Sequence, residues 1–416
     1  METMVDVKIN RTVLPSGLTI ISEQIPSVRS VSIGIWVKTG TRFETPEKNG
    51  IAHFLEHMMF KGTERRSPLE IARSLESVGG HLNAYTSKDL TCYYAEVLDE
   101  HLPRAIDVLS DILLHSRFPE EEMEKERLVI LDEIQSLEDS PDELIQDYLS
   151  RALFPEHALG YPILGEVRTV SRLTQADLLE FYHQFYYARN VVISAAGNLD
   201  HEQLVDWCAR YFDFPDTNHP WSLNTPETNG RGKWVYPRPI NQSHICVGFP
   251  ALPYNDPRKY ELLVLNTVLG GGMSSRLFQN IREKHGVAYS IYSYIDTYYD
   301  TGLLSIYLGT DLKNLDRAEQ LLEQELEALR KVPLKPEELQ QTKSQLKGSL
   351  MLGLESTARR MSRLGKMEIY THRLETIDAV LEAIDRVDRE SVWELTRQIL
   401  DPSREVKVMF VPRKAN

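Results

Sequence analysis

The apolar positions along the chain follow two patterns, one typical of strands and one typical of helices. Short apolar runs rich in β-branched residues predict strands at residues 30–37 and 243–249, and similar runs lie at 90–97 and 299–307. Long segments with helical spacing, such as 119–137, follow these runs, so strands and helices come in groups rather than in strict alternation. This grouping predicts an α+β fold, in which helices pack on mostly antiparallel or mixed sheets.

The order of these elements repeats in the second half of the chain. A Pro-Glu-Glu helix start occurs at Pro119 and again 217 residues later at Pro336. An offset of this length predicts two related domains rather than a solenoid, whose repeats are much shorter. The stretch 213–232 is rich in Pro, Asn, Thr and Gly and lacks periodicity, which is typical of a linker. We therefore expect two homologous domains, 1–225 and 226–416.

The net charge of the chain limits the classes of partner that it is expected to bind. Lys and Arg total 47 and Asp and Glu total 61 of 416 residues, which gives a formal net charge of −14. Nucleic acids and anionic membranes are negative as well, so neither is expected as the main partner. No run of about 18 apolar residues occurs, so no membrane span is expected.

Cysteine usage and the amino terminus indicate the compartment. The three cysteines, Cys92, Cys208 and Cys246, are odd in number and widely spaced, which fits neither a disulfide framework nor a Cys-based zinc site. Buried, reduced thiols are expected instead. The amino terminus has no apolar run of signal-peptide length, so we expect a cytoplasmic protein.

The clearest chemical pattern is the run His53-Phe54-Leu55-Glu56-His57, in an apolar segment that suits a helix. Positions four apart on a helix share one face, so His53 and His57 can bind one metal ion. Glu56 lies beside that face, where a carboxylate can take a proton from water that the metal has acidified. The order H-x-x-E-H is the inverted form of the H-E-x-x-H zinc motif.

Two readings of this motif remain open on the residues alone. A histidine on an apolar helix is usually a hydrogen-bonded core residue, and five residues can match by chance. Burying three ionisable groups together is costly, however, unless they are paired or bound to metal. A catalytic zinc site also needs a third protein ligand. The predicted helix 119–137 offers Glu126 and Glu133, which are nearly two turns apart and share a face.

The motif, these two carboxylates and the run Gly80-His81-Leu82-Asn83-Ala84-Tyr85-Thr86 together resemble the pitrilysin or insulinase-type zinc peptidases. They are most similar to the half-size members, such as bacterial processing proteases and the β subunit of the mitochondrial processing peptidase. The resemblance covers nearly the whole chain. It implies one Zn²⁺ per chain, held by His53, His57 and Glu133, because Glu133 follows His57 by the 76 residues that the family shows.

The resemblance also implies roles for other residues. Glu126 matches the family's supporting carboxylate, and Glu56 its proton acceptor. Asn83 and Ala84 match positions that bind the main chain of a peptide, although an Asn before a strand is equally typical of a β-turn.

The second domain has no H-x-x-E-H run, so its role must differ. Arg282 and Tyr289 resemble the Arg and Tyr that the family contributes from this domain, where they donate to the oxyanion of the scissile carbonyl. The alternative for Arg282 is a surface ion pair with Glu283 or another neighbour.

These observations favour a zinc endopeptidase that cleaves peptides or small unfolded proteins, and by resemblance a homodimer. Two rival functions remain. One is a non-catalytic structural subunit, although such relatives tend to lose the motif residues that are present here. The other is a peptide-binding holdase with a structural metal, although such a site should have four protein ligands and three are credible here.

Overall fold

The computed structural model describes residues 8–215, 217, 223–227 and 230–413. Parts of the predicted linker 213–232 and the first seven residues lie outside the described residues. Eleven strands are present in the described part: β1 (Lys8–Val13), β2 (Thr19–Gln24), β3 (Ser30–Val37), β4 (His81–Thr86), β5 (Thr91–Leu98), β6 (Val191–Gly197), β7 (Gly232–Arg238), β8 (Ser243–Ala251), β9 (Ser290–Thr297), β10 (Gly302–Thr310) and β11 (Val406–Pro412).

Helices connect and cover these strands. In chain order they are α1 (Ile51–Met58), α2 (Pro68–Glu76), α3 (Leu102–Leu114), α4 (Glu120–Glu138), α5 (Pro141–Leu153), α6 (Val167–Val170), α7 (Gln175–Phe185), α8 (His201–Tyr211), α9 (Lys259–Gly270), α10 (Leu315–Lys331), α11 (Pro336–Gly353), α12 (Thr357–Thr371), α13 (Ile377–Arg386) and α14 (Arg389–Ile399). None of them, within the described residues, is both long enough and apolar enough to span a bilayer.

The strands form two sheets with the same strand order. The first sheet runs β1-β2-β6-β3-β5-β4 and the second β7-β11-β8-β10-β9. In each sheet one pair is parallel, β2 with β6 and β7 with β11, and the other pairs are antiparallel. If β1 is left aside, the two orders match position by position. The predicted α+β class with mixed sheets is thus confirmed.

The chain divides into two compact units, each with one sheet. The first unit contains Met1–Ile134, Pro162–Leu223 and Leu352–Leu374, and the second contains Gln135–Tyr161, Asn224–Met351 and Glu375–Asn416. The predicted boundary near residue 225 lies at one of these crossings. It does not account for α5, which packs on the second sheet, or for α12, which packs on the first. The physical reason is that an amphipathic helix must bury one face, but its pattern does not specify the sheet.

Helix α12 packs closely on the first sheet because Gly365 has no side chain. A Cβ atom built on Gly365 would lie 2.3 Å from Nε1 of the buried Trp36. The indole N–H donates to Ser194 Oγ at 2.7 Å, and that hydroxyl donates to the Met361 carbonyl at 2.9 Å. The indole is therefore fixed by hydrogen bonds on the sheet and by the helix above it.

A buried carboxylate fixes the amino end of α1. Glu44 accepts hydrogen bonds from Asn49 Nδ2 at 2.8 Å, from the Gly50 N–H at 2.9 Å and from the Ala52 N–H at 2.9 Å. The backbone groups are donors that the start of a helix leaves unpaired. Burial raises the pKa of Glu44 from 4.5 to about 7, although these donors oppose the shift.

We predict that Gly365→Ala lowers the free energy of unfolding by about 1–3 kcal/mol, as expected for overpacking a filled core. The matched change Gly348→Ala lies on an exposed part of α11, with nothing within 4 Å of the added Cβ. It should stabilise the protein by about 0.5–1 kcal/mol, because alanine favours the helix. Denaturant unfolding of both variants measures this, and equal effects would contradict the packing.

The Glu44 carboxyl predicts a pH dependence of stability. A group with a raised pKa stays protonated in the folded protein at pH values where it ionises in the unfolded chain, so stability falls as pH rises. As pH rises from 5 to 8, with EDTA present, the free energy of unfolding of the wild type should fall by about 2 kcal/mol more than that of Glu44→Gln, because the glutamine side chain cannot titrate. Parallel pH profiles from denaturant unfolding would show that the Glu44 pKa is not raised.

Candidate metal centre

Helix α1 presents its two histidines on one face. Their ring centroids are 4.5 Å apart, while Phe54, Leu55 and Met58 turn into the core. Gly50 begins the helix with φ of 97°, a left-handed conformation that favours glycine. The apolar residues of the motif therefore anchor the helix in the first unit and leave His53 and His57 side by side.

Glu133 of α4 faces both imidazoles. Its Oε2 atom lies 3.8 Å from His53 Nε2 and 3.7 Å from His57 Nε2. Two ligands of a tetrahedral zinc ion, at bond lengths of about 2.1 Å, lie about 3.4 Å apart. The separations observed are thus close to those of a metal site. Among the described residues, His53, His57 and Glu133 are the only group of His, Cys, Asp and Glu side chains so arranged.

Unpaired buried atoms at this site support the fit. The Glu133 side chain is 40% exposed, yet its Oε2 atom is buried and has no hydrogen-bond partner in the described part of the chain. A buried oxygen without a partner is costly, and a cation between the three ligand atoms would remove that cost. The donor set of two imidazoles and one carboxylate is one that zinc accepts. The residues present therefore fit a zinc ion.

His53 is in the chemical form that binds metal. Burial, together with the nearby charge of His57, lowers the pKa of His53 to about 3. A neutral imidazole offers a lone pair, whereas an imidazolium does not. Burial is the larger cause, because a buried cationic ring loses its hydration.

Glu126 and Glu133 have different positions relative to His57. Glu126 Oε2 lies 3.0 Å from His57 Nδ1, on the side of the ring opposite Nε2. Its other oxygen pairs with Lys61 Nζ at 2.6 Å. The structure thus places Glu126 as a hydrogen-bond partner of His57. Sequence reasoning missed Lys61, which lies four residues after His57.

The motif carboxylate is held from the edge strand. Thr86 Oγ1, at the end of β4, donates to Glu56 Oε2 at 2.6 Å. Burial raises the pKa of Glu56, the Thr86 hydrogen bond and the charge of His57 lower it, and the charge of Glu133 raises it further. The sequence alone gave Thr86 no predicted role, because its hydrogen bond joins residues that are 30 positions apart in the chain.

The proposed peptide-binding residues lie on the same edge strand. Within the described strands, β4 pairs with β5 alone, so its other edge is not hydrogen bonded to a strand. The Ala84 N–H donates to Asn83 Oδ1 at 2.8 Å. The alternative of a β-turn is wrong, because both residues lie inside β4.

Arg282 and Tyr289 both belong to the second unit. Arg282 lies in a π-helical turn, Phe278–Glu283, and its guanidinium lies 4.7 Å from the Phe278 ring centroid. Neither Glu283 nor another described residue forms an ion pair with Arg282, so the alternative reading finds no support. Tyr289 is 54% exposed, and its hydrogen bond to Asp311 raises the pKa of the phenol.

Comparisons with known proteins identify the family and the fold of this chain. A family model described as "Insulinase (Peptidase family M16)" matches residues 19–167, and one described as "Peptidase M16 inactive domain" matches residues 172–346. Two solved structures share the fold: a protease from Helicobacter pylori, with a TM-score of 0.92 at 19% identity, and a peptidase M16 inactive domain from Pseudomonas fluorescens, with 0.90 at 20%. Each match covers 98% of this chain and 100% of the other.

Other relatives are more similar to this chain in sequence than these two solved structures are. An uncharacterized zinc protease of Bacillus subtilis is 44% identical, over 94% of this chain and 95% of its own length. An uncharacterized zinc protease of Streptomyces coelicolor is 40% identical, over 94% of this chain and 87% of its own length. Identity of this extent over nearly the whole chain establishes a common family. The protein therefore belongs to the insulinase family of peptidases, peptidase family M16.

Proposed function

We propose that this protein is a zinc-dependent endopeptidase that cleaves peptides or small unfolded proteins. One observation carries the proposal: a buried Glu133 oxygen without a hydrogen-bond partner faces the Nε2 atoms of His53 and His57. The names of the relatives, which are called zinc proteases, support the same metal and reaction class. The homodimer expected from the sequence stays a prediction.

Each residue at the site has a separate proposed role in the reaction. His53, His57 and Glu133 would hold one zinc ion per chain, which supplies a Lewis acid that lowers the pKa of water and polarises a carbonyl. Glu56 takes a proton from the attacking water and returns it to the leaving amine. The raised pKa of Glu56 makes it a stronger base, and the Thr86 hydroxyl fixes its carboxylate at 2.6 Å.

The edge strand β4 is the proposed place for an extended peptide. A peptide strand that adds to a sheet edge is bound through its main chain, which favours extended conformation over particular sequence. Such a peptide would compete with Asn83 Oδ1 for the Ala84 N–H. Thr86, at the end of the same strand, contacts Glu56, so a peptide along β4 would lead to the base. Folded proteins should be poor substrates because their chains are already paired.

We also propose that Arg282 and Tyr289 donate hydrogen bonds to the oxyanion that forms on the scissile carbonyl. The proposal rests on the family resemblance and on the state of both donors. The Arg282 guanidinium has no ion-pair partner among the described residues, and Tyr289 is largely exposed. The guanidinium is thus available for a substrate, and the phenol would exchange its hydrogen bond to Asp311 for one to the oxyanion.

We predict that Glu56→Gln abolishes most turnover while zinc stays bound, because the change removes the base but no ligand. The rate of hydrolysis of an unstructured peptide should fall by about 10²–10⁴-fold. The matched control is Glu121→Gln, at a side chain of α4 that is 83% exposed, and it should leave the rate unchanged. Equal rates for wild type and Glu56→Gln, or a wild type that cleaves no unstructured peptide, would favour a holdase or a structural subunit.

We predict that Glu133→Ala greatly weakens zinc binding, because it removes one of three protein ligands. The loss should exceed the roughly 10–100-fold that changes in residues supporting a ligand cause. Competition with a coloured chelator measures the dissociation constant, and Glu121→Ala on the same helix is the control. Unchanged zinc affinity in Glu133→Ala would exclude Glu133 as a ligand.

A further inference from the structure

We propose that Lys61 is a positioning residue of the metal centre: its ammonium group holds Glu126, and Glu126 in turn sets the orientation of the His57 ring. This inference rests on the proposed zinc site. It concerns a residue outside the H-x-x-E-H run and outside α1, and it assigns to Lys61 a role in metal affinity rather than in contact with the metal or the substrate.

A continuous line of contacts joins Lys61 to the metal-facing nitrogen. Lys61 Nζ lies 2.6 Å from Glu126 Oε1, and Glu126 Oε2 lies 3.0 Å from His57 Nδ1. On the other side of the same ring, His57 Nε2 lies 3.7 Å from Glu133 Oε2. A hydrogen bond at Nδ1 places the proton there and leaves the Nε2 lone pair for the metal.

The Glu126 carboxylate depends on Lys61 for one of its two oxygens. Lys61 and His57 are its polar partners among the described residues, one for each oxygen. The Glu126 side chain is 8% exposed, so water can replace a lost partner only poorly. Without the ammonium, Oε1 would lack a partner, and the carboxylate could rotate away from the imidazole to find one.

Neighbouring cations cannot take over this role. Arg65 and Arg66, the next basic residues in the chain, pair with Asp107 and Asp111. Their guanidinium groups are therefore committed to a separate cluster. Lys61 is 26% exposed and has Glu126 as its ion-pair partner in the described part of the chain. Its contribution to the site is thus not duplicated nearby.

A purely structural ion pair and a positioning residue make different predictions. A partly exposed ion pair contributes little to stability, and its loss would act on the whole protein equally with and without metal. A residue that orients a metal ligand acts mainly on metal affinity, where changes of this kind cost about 10–100-fold. Zinc affinity and the stability of the metal-free protein therefore need to be measured on the same variants.

The experiment is zinc titration of the purified full-length protein against a chelator. Lys61→Met, which keeps the length and removes the charge, should raise the zinc Kd by about 10–100-fold. Lys61→Arg keeps a cation and should restore most of the affinity. The matched control is Arg65→Met, four residues after Lys61 in the chain. It breaks an ion pair to the buried Asp111 and should leave the zinc Kd unchanged. Thermal unfolding with EDTA reports the stability of each metal-free variant.

A double-mutant cycle tests whether Lys61 acts through Glu126. In a Glu126→Gln background, adding Lys61→Met should change the zinc Kd by less than about threefold, because the carboxylate that Lys61 holds is gone. Cobalt substitution gives a second readout, since the visible spectrum of bound Co²⁺ reports ligand geometry. The spectrum should change in Lys61→Met and stay unchanged in Arg65→Met.

Three results would overturn the inference. The first is a zinc Kd of folded Lys61→Met that equals the wild-type value. The second is that Lys61→Met lowers zinc affinity as much in the Glu126→Gln background as it does alone. The third is that Arg65→Met lowers zinc affinity as much as Lys61→Met does. If Lys61→Met does not fold, Lys61→Gln in the same titration decides by the same criteria. Failure of the proposed zinc site is distinguishable, because the wild-type protein itself would then bind no zinc, and failure of the proposed peptidase activity alone would leave the zinc titrations unchanged.

Discussion

The central physical constraint in this molecule is that a buried carboxylate oxygen faces two imidazole nitrogens with no hydrogen bond to either. Glu133 Oε2 lies 3.7–3.8 Å from both Nε2 atoms, too far for a hydrogen bond and close to the separation of two zinc ligands. The protein must hold these polar atoms together against their cost of burial. The elements around the site can be understood as the means of doing so.

Several of these elements act on α1. Its apolar side enters the core of the first unit, and Glu44 binds the donors at its amino end. Helix α4 supplies Glu126 and Glu133, which approach opposite sides of the His57 ring. Strand β4 contacts Glu56 through Thr86. The ligands thus come from one compact unit, which suits a site that must have its geometry before the metal arrives.

Much of the fold could be predicted from the sequence, because it depends on local patterns. The apolar run 30–37 is β3, and the helix predicted at 119–137 is α4, displaced by one residue at each end. The positions of α5 and α12 could not be predicted. Each helix has an apolar face, but the choice between two sheets of the same strand order depends on contacts such as Gly365 with Trp36, which are far apart in sequence.

The candidate site was predictable to a similar extent. The spacing of His53 and His57 places them together on any helix. Spacing alone could not choose between Glu126 and Glu133, since both lie on one face of α4, and the choice came from the family resemblance. Lys61 and Thr86 have ordinary local sequences, and only the folded chain brings them to Glu126 and Glu56.

The most direct test of the central claim is X-ray absorption at the zinc edge, on wild-type protein with a measured zinc content. The account predicts one zinc ion per chain, with two imidazole nitrogens and a carboxylate oxygen at about 2.0–2.2 Å. A protein that holds no zinc after loading, or one whose zinc is bound by sulfur or by a single imidazole, would contradict it.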